Sequence, residues 1–177
     1  MVEPLPRLSL VIGGARSGKS RFAEAIVRRH PQPWIYVATA EAHDAEMVER
    51  ISLHRARREG GWQTIEAPFL LAQTLAESDG GIVLVDCLTL WLSNILLAGR
   101  DIESECDRLM EALLARAGPT VLVSNEVGLG IVPDNALARR FRDAQGRLNQ
   151  RVAAVADRVV LMAAGLPLVL KGSHERA

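Results

Sequence analysis

Four runs of mostly apolar residues recur along the chain, at residues 8–12, 34–38, 82–85 and 120–123. None of them alternates between apolar and polar positions over its whole length. Strands that are buried on both faces of a parallel sheet have this continuous apolar character, because helices cover both sides of such a sheet. The four runs therefore predict the central strands of a parallel sheet.

Segments with helical spacing separate these runs. The predicted helices cover residues 20–29, 44–58, 68–77, 89–97, 101–117 and 133–156. The last of them has an apolar face that is predicted to point into the core, formed by Leu137, Phe141, Ala144, Leu148, Val152 and Val155. Shorter strands are predicted at residues 62–66, 158–162 and 166–170, the last two as a hairpin around Gly165.

The order of these elements predicts the fold class. Strands that alternate with helices indicate an α/β domain, with a mostly parallel sheet flanked by helices and a carboxyl-terminal hairpin. We expect residues 1–177 to form one nucleotide-binding domain for the reasons given below, with frayed ends at residues 1–6 and 173–177.

Composition narrows the class of protein. The 177 residues include 21 Lys+Arg and 21 Asp+Glu, so the formal net charge is zero, which argues against general binding to nucleic acid. No apolar run approaches the ~20 residues of a membrane span, and the first residues lack the features of a signal peptide. Cys87 and Cys106 show no metal-ligand spacing and are interpreted as reduced thiols, so we expect a cytoplasmic protein.

The segment between the first strand and the first helix carries the strongest chemical signal. It is a Walker A motif in the strand–loop–helix context that the motif requires, and it consists of Gly13, Gly14, Ala15, Arg16, Ser17, Gly18, Lys19 and Ser20. Glycines let backbone N–H groups approach phosphates, and the helix N-terminus adds partial positive charge. Lys19 is predicted to contact the β- and γ-phosphates and Ser20 to bind Mg²⁺. A glycine turn without a ligand is the less favoured alternative, and we expect a P-loop NTPase-type fold.

Polar residues also follow other predicted strands, at the edge where ligands gather in open α/β sheets. Asp86 ends an apolar strand, as in a Walker B motif, and is predicted to help hold Mg²⁺ directly or through water. Ala38, Thr39 and Ala40 lie at the end of another predicted strand, where a nucleotide contact and a plain strand end are both open interpretations. Glu126 also has two interpretations: a contact to the metal, a water or a substrate hydroxyl, or the cap of a helix or turn.

His54 shares one face of the predicted helix 44–58 with Arg50 and Arg58. A neutral imidazole can attack the α-phosphorus of a nucleotide and form a phosphoramidate, while arginines stabilise the developing charge. The alternative is a half-buried histidine on an amphipathic helix, which the residues by themselves favour. A separate basic group lies beside the core face of the last helix: Arg140, Arg147 and Arg151. We interpret that group as a solvated flank, with a phosphate or subunit contact as the alternative.

Beyond the Walker A motif, further motifs follow in a fixed order: YVAT (36–39), RISLHR (50–55), WQTIE (62–66), DCLTLWLSN (86–94), NEVGLGIVP (125–133) and GRLNQ (146–150). The ordered set resembles the bifunctional adenosylcobinamide kinase/adenosylcobinamide-phosphate guanylyltransferases of adenosylcobalamin biosynthesis. The resemblance extends from about residue 8 to residue 171. Walker A motifs occur in many families, whereas this ordered set is specific.

The resemblance implies two reactions. ATP or GTP first phosphorylates adenosylcobinamide; GTP then guanylylates the enzyme, and GMP passes to adenosylcobinamide phosphate to give adenosylcobinamide-GDP. The guanylylated histidine corresponds to His54. The implied guanine-nucleotide contacts outside the P-loop are Ala38, Thr39, Ala40, Arg55, Ala56, Arg57, Arg58, Glu66 and Asp86. The resemblance also implies a homo-oligomer, commonly a trimer.

Two other functions stay open at this point. One is a kinase that has lost guanylyl transfer, against which the intact His54 speaks. The other is a non-catalytic nucleotide switch, which would need loops that change on hydrolysis and a partner surface. No such segment is evident in the sequence.

Overall fold

The computed structural model describes residues 4–41, 60–78 and 80–172. The predicted helix over residues 44–58 lies outside these ranges, and His54 lies outside them with it. The same holds for four of the implied nucleotide contacts, Arg55, Ala56, Arg57 and Arg58. Residues 1–3 and 173–177 are also outside, whereas Leu5 is buried in the core.

Seven strands and five helices make up the described part of the chain. The strands are β1 (Leu8–Gly13), β2 (Trp34–Ala38), β3 (Trp62–Glu66), β4 (Ile82–Asp86), β5 (Thr120–Asn125), β6 (Arg158–Ala163) and β7 (Leu166–Lys171). The helices are α1 (Lys19–Arg28), α2 (Leu71–Glu77), α3 (Leu88–Leu97), α4 (Ile102–Ala115) and α5 (Ala136–Val155). Every strand predicted from sequence is confirmed, as is every predicted helix within the described ranges, with ends that differ by at most three residues. Among these helices, none is both long and apolar enough to cross a membrane.

All seven strands belong to one sheet, in the order β3-β2-β4-β5-β1-β6-β7. Each neighbouring pair is parallel except β6 and β7, which are antiparallel and form the predicted hairpin. The mostly parallel sheet is therefore confirmed. Its parallel strands end at one common edge, and β5 lies between the P-loop strand β1 and the Asp86 strand β4.

Side chains of alternate strand positions form a separate core on each face of the sheet. On one face, Val11, Leu84 and Val123 of the strands form a cluster with Ala23 and Val27 of α1. The opposite face packs against α2, α3, α4 and α5, and Trp91 of α3 is its largest fully buried side chain. This arrangement explains why the central strands lack polar alternation, since both of their faces are covered.

The structure confirms all but one residue of the core face predicted for the helix that is now α5. Ala144, Leu148 and Val152 are buried, and Phe141 and Val155 are partly buried against the same core. The prediction for Leu137 was wrong, because 52% of this residue is exposed. Asn149 donates a hydrogen bond to the carbonyl of Asn125 at the end of β5. With a rise of ~1.5 Å per residue, the first turn of α5 lies roughly 18 Å farther along and extends past the edge of the sheet.

The basic flank of α5 faces carboxylates of α4. Arg151 Nη2 lies 2.6 Å from Asp107 Oδ1, and Glu103 lies within 4 Å of Arg151 and Arg147, at 3.8 and 3.7 Å. These side chains are partly or largely exposed, so each pair contributes only about 0.2–1 kcal/mol. The structure therefore agrees with a solvated flank, in which Arg140 is exposed and carboxylates of α4 lie near Arg147 and Arg151.

The exposure of Leu137 gives a matched pair of substitutions within one helix. Leu148→Ala is expected to lower the free energy of unfolding by about 2–5 kcal/mol, because it leaves a cavity in the core. Leu137→Ala is expected to change it by less than about 0.5 kcal/mol, because nothing packs tightly around this side chain. Urea unfolding followed by far-ultraviolet circular dichroism measures both values. Equal losses for the two variants would contradict the assignment of Leu137 to the surface.

Candidate functional site

The loop between β1 and α1 is shaped by two glycines and supported by the carboxyl-terminal hairpin. Gly13 has a φ of +153°, and a Cβ there would lie 2.4 Å from the carbonyl oxygen of Met162. Gly18 has a φ of +95° and is the N-cap of α1. The N–H of Gly165, at the turn of the hairpin, donates to the carbonyl of Ser17 over 3.1 Å. Side chains at either glycine would therefore strain the loop or push it off the hairpin.

Polar groups of this loop are available to an anion. No side chain caps the first turn of α1, so its N–H groups and the positive end of the helix dipole face the loop. The hydroxyl of Ser17 is buried and has no hydrogen-bond partner among the described residues. An oxyanion in the loop would satisfy both kinds of donor.

Lys19 folds back over the loop. Its Nζ donates to the carbonyl oxygen of Gly14 over 2.5 Å, and the residue is only 7% exposed. Burial lowers the pKa of Lys19, whereas the negative charge of Asp86 acts in the opposite direction. Because β5 alone separates β1 from β4 in the sheet, the P-loop and the end of β4 lie close together at the same edge.

Asp86 is the last residue of β4 and lies on the face of the sheet that carries α1. Its Oδ2 accepts a hydrogen bond of 2.7 Å from the hydroxyl of Tyr36 on β2. Tyr36 is 4% exposed and packs edge-on against Trp62, with ring centroids 5.8 Å apart. The orientation of the Asp86 carboxylate is therefore fixed by a buried phenol.

The other predicted strand-end residues lie at the same edge. Ala38 is level with Glu66 of β3 on one side and with Asp86 of β4 on the other. Thr39 is fully buried, and its hydroxyl both donates to the carbonyl of Cys87 over 2.7 Å and accepts from the N–H of Cys87 over 2.8 Å. The carbonyl of Thr39 accepts from Asn94 of α3. Thr39 thus joins the ends of β2 and β4 to a helix, and Ala40 follows it half-buried.

Glu126 has the role of a turn cap in this structure. Its Oε1 accepts from the N–H of Gly128 over 2.7 Å, and its own N–H donates to the carbonyl of Gly13 over 3.0 Å. The second of the two interpretations left open by the sequence is therefore the one that the hydrogen bonds support.

A buried polar network beside this edge escaped the sequence analysis. Asn149 and Gln145 of α5 meet Ser124 of β5 through hydrogen bonds of 2.6–3.0 Å, and all three side chains are buried. Asn149 also contacts Asn125, the last residue of β5. The signal in the sequence was weak: polar residues on the inner side of an amphipathic helix, four positions apart, opposite a strand that ends in Ser-Asn.

Neither cysteine has the chemistry of a nucleophile or a metal ligand. Burial raises the pKa of the Cys87 thiol to about 12, and the negative charge of Asp86 acts in the same direction. Burial likewise raises the pKa of Cys106 to about 11. Both are free thiols that stay protonated near neutral pH, as expected of reduced cysteines. Among the residues that the structure describes, no group of three or more His, Cys, Asp or Glu side chains is arranged to hold a metal ion.

Solved structures share this fold at low sequence identity. The flagellar accessory protein FlaH of Methanocaldococcus jannaschii has a TM-score of 0.55 at 12% identity. The match covers 97% of this chain and 84% of the FlaH chain. A prototypical ATPase from the type III secretion system of pathogenic bacteria has a TM-score of 0.53 at 14% identity. This match covers 89% of this chain and 51% of the ATPase chain. At this level of identity the likeness concerns the fold alone. With the Walker A loop between β1 and α1, it confirms the P-loop NTPase-type fold.

Sequence comparisons identify the family. Residues 9–170 match the family model of cobinamide kinase / cobinamide phosphate guanyltransferase. The bifunctional adenosylcobalamin biosynthesis protein CobP of Pseudomonas aeruginosa is 48% identical over 167 residues, covering 92% of this chain and 96% of that protein. The protein CobU of Salmonella typhimurium, with the same bifunctional description, is 41% identical over 181 residues, covering 92% and 98%. The resemblance inferred from the motifs is confirmed, and the chain belongs to the family of cobinamide kinase / cobinamide phosphate guanyltransferase enzymes.

Proposed function

We propose that the chain carries out two reactions at one nucleotide site. It phosphorylates adenosylcobinamide with ATP or GTP, and it then transfers GMP from GTP to adenosylcobinamide phosphate, giving adenosylcobinamide-GDP. The observation that supports a shared site is the single edge of the sheet at which the P-loop, Lys19 and Asp86 meet. The family match supports the choice of substrates.

In the proposed kinase step, the hydroxyl of adenosylcobinamide attacks the γ-phosphorus and the bond to the β,γ-bridging oxygen breaks, so that the nucleoside diphosphate leaves and the hydroxyl proton passes to water. The buried hydroxyl of Ser17 and the uncapped N-terminus of α1 are donors that suit the phosphate oxygens. Lys19 exchanges the carbonyl of Gly14 for oxygens of the β- and γ-phosphates. Its positive charge then stabilises the negative charge that moves during transfer.

Mg²⁺ fits the donor atoms at this edge. A hydroxyl at Ser20 and a carboxylate at Asp86 are the hard oxygen ligands that Mg²⁺ prefers. The hydrogen bond from Tyr36 leaves the second carboxylate oxygen of Asp86 for such a contact. Ser20 and Asp86 would hold the ion, which neutralises charge on the triphosphate when it is bound.

In the proposed guanylyl transfer, neutral His54 attacks the α-phosphorus of GTP. A P–N bond forms, the bond from the α-phosphorus to the α,β-bridging oxygen breaks, and pyrophosphate leaves. A phosphate oxygen of adenosylcobinamide phosphate then attacks the same phosphorus, the P–N bond breaks, and the imidazole is restored. His54 lies outside the described residues, so its role rests on the family resemblance and on its helical spacing from Arg50 and Arg58.

We propose the nucleotide contacts that the resemblance implies. They are the P-loop residues Gly13, Gly14, Ala15, Arg16, Ser17, Gly18, Lys19 and Ser20, the segments 38–40 and 55–58, and Glu66 and Asp86. Within the first segment, the hydroxyl and carbonyl of Thr39 are already hydrogen-bonded inside the protein. Thr39 is therefore proposed to hold this part of the site in shape rather than to offer its side chain to the nucleotide.

The proposal includes one nucleotide-binding domain over the whole chain and a homo-oligomer, with a trimer as the expected form. The segment that follows Glu126 supports self-association, since Leu129, Ile131 and Val132 are 88%, 97% and 62% exposed. Three large apolar side chains in water on one short segment favour burial against a second copy of the chain. The segment begins beside the P-loop, so such a contact would adjoin the nucleotide site.

Substitution of His54 is predicted to affect the two reactions differently. His54→Ala is expected to lose guanylyl transfer but retain part of the kinase activity, because γ-phosphoryl transfer needs positioning and charge rather than a nucleophile. Lys19→Ala is the matched P-loop variant and is expected to lose both activities. The assay incubates each protein with GTP, adenosylcobinamide and Mg²⁺ and identifies the products by mass.

Labelled GTP tests the covalent intermediate directly. Label at the α-phosphate should remain on the wild-type protein as an acid-labile, alkali-stable adduct, and His54→Ala should carry none. Product heavier by phosphate alone in the wild type would make the chain a kinase only, and no product would favour a nucleotide switch. An adduct that persists in His54→Ala would remove this residue from the mechanism.

A variant of Asp86 tests the metal site. Asp86→Asn is expected to raise several-fold the Mg²⁺ concentration that gives half-maximal rate in both reactions, because an amide oxygen binds Mg²⁺ more weakly than a carboxylate. Tyr36→Phe is the matched control, since it removes the hydrogen bond to Asp86 but keeps the charge. An unchanged Mg²⁺ titration for Asp86→Asn would show that this residue has a structural role only.

Self-association is tested by light scattering on the purified protein. The wild type is expected to have the mass of a trimer, and Ile131→Glu is expected to shift the mass toward the monomer because it places charge in the apolar contact. Glu111→Lys, an exposed change of charge on α4, serves as the control. A wild-type protein that stays monomeric at high concentration would contradict the proposed oligomer.

A further inference from the structure

Asn125 is the last residue of β5 and lies between the P-loop strand and the Asp86 strand at the candidate site. It is not among the nucleotide contacts proposed above. We propose that its carboxamide is a further nucleotide contact, with Nδ2 donating a hydrogen bond to the terminal phosphoryl group of the bound triphosphate. We propose also that Thr89 and Asn149 are positioning residues that hold Asn125 in place. This inference rests on the proposed function, since it concerns the same nucleotide site.

The register of the sheet places Asn125 between the two phosphate-side elements. It is level with Gly13, where β1 enters the P-loop, and lies two positions beyond Val123, which is level with Asp86. Adjacent strands are about 4.8 Å apart, so the Cα of Asn125 lies about one strand spacing from that of Gly13. A side chain here starts between the loop and the Asp86 carboxylate.

Strand alternation gives the direction of that side chain. Val121 and Val123 pack in the cluster on the face that carries α1, whereas Leu122 belongs to the opposite cluster. Asn125 continues the first set, because successive side chains of a strand point to opposite faces. Its carboxamide therefore emerges on the face of Lys19 and Asp86, while Ser124 points to α5 and bonds with Asn149.

Two side chains hold the backbone of Asn125 where the sheet no longer does. Its N–H and carbonyl point toward β4, but β4 ends at Asp86, two positions earlier in register. Thr89 Oγ1 accepts from the N–H of Asn125 over 2.7 Å, and Asn149 Nδ2 donates to its carbonyl over 3.1 Å. Both side chains are buried, with 6% and 7% of each residue exposed. The segment is tied to β1 as well, through the N–H of Glu126 and the carbonyl of Gly13.

The orientation of the Asn149 amide is also determined. Its Oδ1 accepts from Ser124 Oγ over 2.6 Å and from Gln145 Nε2 over 3.0 Å, so the NH₂ group must face Asn125. Four polar side chains from three elements thus fix the origin of a fifth, which is only partly buried and faces the candidate site. Buried networks of this kind stabilise one geometry, because each unpaired member would be costly.

A neutral amide is the chemically suitable group at this position. The carboxamide of asparagine can donate hydrogen bonds to phosphoryl oxygens without adding negative charge. A carboxylate of the same shape would accept only, and it would repel the phosphates and compete with Asp86 for a cation. Asn125→Asp therefore reverses the proposed contact at almost unchanged volume, and Asn125→Ala removes it.

The test compares binding of GTP and GDP in the presence of Mg²⁺, which needs no corrinoid. Asn125→Ala is expected to weaken GTP binding about tenfold, as for a lost hydrogen bond to a charged group, and GDP binding by less than about twofold. Asn125→Asp is expected to weaken GTP binding further. Gln150→Ala, an exposed amide on α5, is the control and should match the wild type. Equal GTP-to-GDP ratios in wild type and Asn125→Ala would overturn the contact.

The positioning role is tested at Thr89. Thr89→Val keeps the shape but loses the acceptor for the Asn125 N–H, and it is expected to lower the GTP-to-GDP affinity ratio; Thr89→Ser keeps the hydroxyl and should restore it. A variant that only loosens the fold would lower the melting temperature without changing this ratio. If Thr89→Val and Thr89→Ser behave alike, the positioning role is wrong.

The same variants separate this inference from the proposed function. If wild-type protein forms no phosphorylated corrinoid but discriminates GTP from GDP through Asn125, the proposed function fails and the contact stands. If wild-type protein is active and Asn125→Ala retains both its kcat and its GTP-to-GDP ratio, the contact fails and the function stands.

Discussion

The site depends on the common edge at which the parallel strands end. Because β2, β3 and β4 pair in parallel, the register that aligns Ala38 with Glu66 and Asp86 also makes these strands end together. The P-loop follows β1 at the same edge. Helices cover both faces of the sheet, so this edge is where backbone and polar side chains can meet a ligand without disturbing a core.

Ending strands at one edge has a cost that the structure meets with buried polar side chains. A backbone N–H or carbonyl that loses its neighbouring strand near the core costs about 1–3 kcal/mol if it stays unpaired. The hydroxyl of Thr39 meets this requirement for the N–H of Cys87, just past the end of β4, and Asn94 meets it for the carbonyl of Thr39 at the end of β2. Thr89 and Asn149 do so at the end of β5. Residues of α3 and α5 therefore reach across to complete hydrogen bonds of the sheet, and the same contacts keep the edge rigid.

Local patterns in the sequence were sufficient for the strands, most helix positions and the Walker A loop. Each of these depends on neighbouring residues: apolar runs, helical spacing, and glycines next to Lys19 and Ser20. The Thr89–Asn125–Asn149 contacts could not be predicted in the same way. They depend on the register of β5 against β4 and on how far α5 is shifted along its axis relative to the ends of the strands. Leu137 was misplaced for a related reason. Its spacing fits the core face, but spacing does not reveal where the sheet stops beneath a helix.

Lys19 shows how ligand binding and electrostatics are coupled at this edge. Its ammonium group is buried and hydrogen-bonded to the carbonyl of Gly14, and burial lowers its pKa. In the proposed complex, phosphate oxygens would replace the carbonyl, and a full negative charge would stabilise the ammonium more than a carbonyl dipole does. The pKa of Lys19 should therefore rise when the triphosphate binds. By linkage, the triphosphate binds more tightly to the protein in which Lys19 is charged. The affinity for the triphosphate should therefore fall as the pH rises through the pKa that Lys19 has in the nucleotide-free protein. The hydrogen bond to Gly14 thus stabilises the buried ammonium group while the loop is empty, and the positive charge of that group favours an anion over the carbonyl.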